Sequence, residues 1–131
     1  MYKELIIYRN ELKNTRVPKY KFVGIVTEIL LSKDVFIKNA EIASFLKTAF
    51  NIDYKDYVMK SRTMIVARTS RIIHNLENDE YVIYKRKLFQ FISDELERLQ
   101  TEEQKKEKNQ FDGWINNDKW YDIYRNRYFE K

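Results

Sequence analysis

Cysteine is absent from this chain of 131 residues, which excludes a disulfide framework, a thiolate nucleophile and any zinc site built on thiolates. Histidine occurs once, at His74, too few for a multi-histidine metal centre. Two glycines and one proline leave long stretches without a breaker, and no glycine-rich loop exists to cradle a phosphate. Long apolar runs are missing as well. The apolar run at residues 29–31 is bracketed by Glu28 and Lys33, so neither a leader nor a membrane span is expected and the cytoplasm is the default compartment. No cofactor and no metal enter the reading.

A more local absence matters most. From Tyr57 to Leu76 there is no Asp or Glu, although the chain as a whole has 20 acids, and the same stretch carries Lys60, Arg62, Arg68 and Arg71. The overall net charge is +5, and its positive excess falls wholly within residues 1–76; residues 77–108 are net negative and residues 109–131 are balanced. Such asymmetry suits a surface that meets a polyanion, where each neutralised phosphate releases counterions.

Hydrophobic residues at 44% and aromatics at 15% are enough for a packed core, and charged residues at 34% keep the surface wet. With so few breakers, an all-α fold is expected: a helix-turn-helix-like domain over residues 1–108, ending in a long helix, followed by an aromatic tail over 109–131. Residues 2–13 suit a short amphipathic helix, which Val17-Pro18 terminates. Residues 20–32 repeat Phe22, Val26, Ile29 and Leu30 at helical intervals, so a buried helix is favoured over a strand despite the Val and Ile content. Val35-Phe36-Ile37 then bridges to the next element.

Asn39 is the expected N-cap of a short helix with Glu41 in its first turn and Ile42, Phe45, Leu46, Ala49 and Phe50 on its apolar face. Asn51-Ile52-Asp53 breaks that pattern. A second helix over 57–76 is expected to bury Val58, Ile65, Ile72 and Leu76, with Met64, Ile73 and Arg68 on the flanks. Its other side carries Lys60, Thr63, Ala67, Ser70, Arg71 and His74, small residues and donors with no acid to repel a phosphate. Helix, break, basic helix is the order in which a second helix enters a DNA major groove. The candidate groove readers are Lys60, Thr63, Ser70, Arg71 and His74. Arg62, Arg68 and Lys38 are the candidate phosphate contacts.

The run Glu41-Ile42-Ala43-Ser44-Phe45-Leu46, then Phe50-Asn51-Ile52-Asp53, Asp56-Tyr57 and Arg68-Thr69, preceded by Thr27-Glu28-Ile29-Leu30 and Val35-Phe36, resembles the C-terminal domain of the RteC family of regulators from conjugative transposons. The resemblance covers residues 22–76. It implies a winged-helix-like DNA-binding domain and a role in transcriptional regulation of a mobile genetic element, with double-stranded DNA as partner.

After Leu76, the acidic Glu77-Asn78-Asp79-Glu80 can cap a helix from Tyr81 to about Lys108, with Tyr81, Tyr84, Leu88, Ile92, Leu96 and Leu99 as its apolar row. No Asn-Gly or Asp-Gly turn supports a hairpin there. The tail holds Phe111, Trp114, Ile115, Trp120, Tyr121, Ile123, Tyr124, Tyr128 and Phe129, too many large apolar groups to stay solvated. They require cover, from this chain's own helices, from a second copy in a homodimer or from another protein. A non-catalytic adaptor docking through this tail is therefore the alternative function. Catalysis is not expected: His74 has no acid oriented to form a triad, and the adjacent pairs Asp94-Glu95 and Glu102-Glu103 splay apart on a helix.

Overall fold

The computed structural model describes residues 1–14 and 16–115, with side chains to residue 103. All regular structure among the described residues is helical, as the scarcity of breakers led one to expect. The helices are α1 (Tyr2–Leu12), α2 (Lys19–Leu31), α3 (Asn39–Phe45), α4 (Asp56–Met59), α5 (Arg62–His74) and α6 (Asn78–Ile115). Residues 81–84 are helical, within α6. Contacts divide the chain after Leu96, and the compact unit of residues 1–96 holds the elements that concern function.

In α2 the buried positions Phe22, Ile25, Val26, Ile29 and Leu30 follow the i, i+3, i+4, i+7, i+8 pattern that makes a stripe along one side of a helix. That stripe packs on α5, whose buried residues are Ile65, Thr69 and Ile73. Leu5 and Leu12 of α1, and Tyr81, Leu88, Ile92 and Leu96 of α6, complete the apolar interior. Aromatic rings run through it as a chain of contacts: Tyr81 on Phe22 at 5.4 Å, Phe22 on Phe50 at 6.3 Å, Phe50 on Phe45 at 5.4 Å and Phe45 on Phe91 at 4.3 Å. Tyr84 stacks almost parallel on Phe50 at 4.4 Å and donates its hydroxyl to the Phe50 carbonyl at 3.1 Å. Edge and offset contacts of this kind add to plain area burial.

The helix begun by α3 continues as one wide turn over Leu46–Phe50 and stops at Asn51, among the described residues the one non-glycine residue of positive φ (53°). There the Ile52 amide reaches back to the Leu46 carbonyl at 3.1 Å, closing a C-terminal cap that Asn tolerates better than most side chains.

Candidate nucleic-acid interface

Several side-chain contacts set the position of α5. Ser61 is its N-cap, accepting the Met64 amide at 3.3 Å, so the helix begins only at Arg62. Ahead of it, α4 is a single turn ending at Met59, and Lys60 lies in the break. The basic helix expected over 57–76 is therefore two helices. From Asn51 to Ser61 the connection is also much longer than the tight turn of about three or four residues in the simplest helix-turn-helix.

The break resets the helical phase. Val58, Ile65 and Leu76 are buried as expected, but Thr69 and Ile73 take the inner positions and Ile72 is only half-buried. Thr69 is 1% exposed, and its hydroxyl is paired with the Tyr54 hydroxyl at 2.8 Å, so burying it leaves no polar group unsatisfied. Arg68 moves outward with the rotation. The outer face of α5 consists of Thr63, Met64, Ala67, Arg68, Arg71 and His74, all exposed. Ser70 sits half-buried at its margin.

Asn39 is not the cap of α3; that position belongs to Lys38, whose amide is accepted by the Glu41 carboxylate at 3.1 Å. Asn39 instead ties two helices together. It donates to the Met59 carbonyl at 2.7 Å and accepts from Arg62 Nε at 3.0 Å. Exposed Lys38 and Lys60 each neighbour a residue of this clamp, which brings both toward the N-terminal end of α5. At that end free backbone amides add partial positive charge.

Arg62 has a different place from the one its sequence context suggested. Its guanidinium turns inward and donates to the carbonyls of Leu30 at 3.4 Å, Ser32 at 3.3 Å and Ile37 at 3.2 Å, and to that of Phe36. Two of these belong to the end of α2, where carbonyls have no helical partner. With its donors facing protein carbonyls, Arg62 leaves the set of phosphate contacts. Lys19 acts comparably at the other end of α5, its ammonium donating to the His74 and Leu76 carbonyls.

The remaining cations stay outward. No carboxylate lies within ion-pair distance of Lys38, Lys60, Arg68 or Arg71 among the described residues, although Glu41, Asp53 and Asp56 occur on neighbouring segments. Arg68 is steadied by Tyr57, 3.4 Å from its hydroxyl and 5.7 Å from the ring centre. Between α5 and the segment before α4, Tyr54, Met64, Ala67, Arg68, Arg71 and Ile72 line an open trough of about 470 Å³. Burial raises the Tyr54 phenol above its ordinary value, opposed by its bond to Thr69 and the nearby Arg68 charge. Tyr54 and Tyr57 were not legible as site residues. Tyr54 falls just after the expected break at Asn51-Ile52-Asp53, and Tyr57 at the expected start of the second helix.

No family model matches the chain, and neither a curated protein nor a solved structure resembles it significantly. No helix among the described residues is long and apolar enough to cross a membrane. Of the expected aromatic tail, residues 109–115 continue α6, and the residues beyond them lie outside those described.

Proposed function

We propose that this chain is a non-catalytic double-stranded DNA-binding module that lays the outer face of α5 in the major groove. One observation carries the reading: a helix without acids presents Arg68 and Arg71 outward, with Lys38 and Lys60 toward its N-terminal end, and none of the four is neutralised by a carboxylate among the described residues. Thr63, Ala67, Arg71 and His74 face the base edges, while Lys38, Lys60 and Arg68 meet phosphates on either side. Such a module acts on DNA in the cytoplasm. The finer role, transcriptional regulation within a mobile genetic element, rests on the resemblance to the RteC family.

About three neutralised phosphates give a slope of log affinity against log salt of about −2.7, or roughly 40-fold weaker binding between 50 and 200 mM salt. Binding of the full chain to random duplex across that range measures it. The double substitution Lys60→Glu with Arg71→Glu is expected to abolish binding while leaving helicity and thermal midpoint unchanged. Retained binding in that variant removes the face from the proposal.

A further inference from the structure

The two arginines on the outer face of α5 differ in what holds them. Arg68 is anchored by Tyr57, through both ring and hydroxyl. Arg71 is exposed, with no ion pair and no ring beneath it among the described residues. Ala67 precedes it by four residues and Met64 by seven, so all three share one strip of the helix. Met64 is 38% exposed, a large apolar side chain presented to solvent at the start of a basic helix. Both residues line the trough, and Tyr54, fixed by its bond to Thr69, supplies another part of its lining.

A free planar fork beside an apolar recess is a selective pair in the major groove. Guanine presents O6 and N7 as adjacent acceptors matching a guanidinium; adenine and cytosine present amino donors that a guanidinium cannot accept. The one apolar group any base pair displays there is the C5-methyl of thymine. We infer that Arg71 reads O6 and N7 of a guanine, and that Met64 and Ala67 take up the C5-methyl of a thymine neighbouring it. The preferred partner is then duplex DNA carrying guanine next to thymine. This rests on the duplex-binding reading above and adds the bases to it. Arg68, steadied by Tyr57, keeps a phosphate role with no base preference.

The test is selection by the full chain from a random duplex library at moderate salt, followed by base-analogue substitution within the enriched site. A motif containing adjacent guanine and thymine is expected. Replacing that guanine by 7-deazaguanine, which lacks the N7 acceptor, should weaken binding roughly tenfold. Replacing the thymine by uracil, which lacks the methyl, should weaken it about three- to fourfold. Arg71→Ala should erase the first sensitivity, and Met64→Ala the second while preserving the first. An enriched motif without this pair, or analogue sensitivities that survive their variants, overturns the inference. Salt-dependent binding with no enriched motif overturns it too but leaves the duplex reading standing, whereas no binding to any duplex at low salt removes both.

Discussion

Removal of Arg62 should be felt across several elements, because its guanidinium links the end of α2, the following loop, Asn39 and the start of α5. Its acceptors are the Asn39 side chain and four backbone carbonyls: Leu30, Ser32, Phe36 and Ile37. The Leu30 and Ser32 contacts, at 3.4 and 3.3 Å, are long for hydrogen bonds and count for less than the others. Taking about 1 kcal/mol for each of the three better bonds, a figure already net of exchange with water, Arg62→Ala should cost about 3 kcal/mol. That is a large share of the 5–15 kcal/mol typical of a domain. With a urea slope of about 1.5 kcal/mol per molar, the midpoint should fall by about 2 M in a helicity-monitored titration of the full chain. Arg62→Lys should recover less than half of the loss, since an ammonium is a compact point donor and cannot span separate carbonyls as a planar fork does. A midpoint shift below about 0.3 M for the alanine variant would show that the guanidinium is an ordinary surface charge and would return Arg62 to the phosphate contacts.

Two smaller perturbations test the scaffold. Gly24 lies exposed within α2, and a methyl group built on it meets nothing within 4 Å, so Gly24→Ala should stabilise the chain by about 0.5–1 kcal/mol, read as a higher thermal midpoint. Tyr81 donates its hydroxyl to the Val17 carbonyl at 2.7 Å, so Tyr81→Phe should cost about 1 kcal/mol. Burial also pushes the Tyr81 phenol up to about 12. An unfolded tyrosine titrates near pH 10, so the folded chain holds this proton longer. The associated stability is complete below about pH 10 and is lost as pH rises toward 12. Urea midpoints across that interval should therefore fall more steeply for the native chain than for Tyr81→Phe.

Elements held by local periodicity were legible in the sequence. The burial of Phe22, Val26, Ile29 and Leu30 identified α2, and the long row from Tyr81 to Leu96 identified the first part of α6. What escaped was set by partners distant in sequence. An arginine in a basic run looks like surface charge until the carbonyls around it are located, and those of Leu30 and Ile37 lie more than twenty residues away. Thr69 has no place in the expected buried stripe, because the hydroxyl that satisfies it belongs to Tyr54. Asn39 fits the cap preference so well that its clamp between α4 and α5 was hidden. The break before α5 is marked by one hydrogen bond, from the Met64 amide to Ser61. A continuous helix from Tyr57 was expected to bury Ile72 with Ile73 on its flank, and in α5 Ile73 is the buried one. The acid-free outer face survived this rotation because no acid occurs anywhere between Tyr57 and Leu76.

That absence is informative because it forgoes stability. Ser61 caps α5, and its own amide is already donated to the Val58 carbonyl at 3.2 Å, so a glutamate in the first turn would add no reciprocal cap bond but would answer the positive helix end. The chain uses this device at α3, where Glu41 accepts the Lys38 amide, yet places Met64 at the equivalent position of α5. A glutamate there would also stand four residues before Arg68, in the favourable order for an ion pair worth about 0.2–0.5 kcal/mol. Pairing at that spacing occurs on α6 between Arg98 and Glu102. Met64→Glu should therefore raise stability by about 0.5 kcal/mol, the dipole and pair contributions less part of the apolar contact that Met64 makes. A face that is merely solvated would gain that stability at no functional cost. One that meets phosphates would instead lose about tenfold or more in duplex affinity at low salt, from one added negative charge at the centre of contact. Thermal midpoint and duplex affinity moving in opposite directions would identify a surface kept free of acid for binding; a more stable variant that binds duplex as tightly as before would remove the nucleic-acid reading.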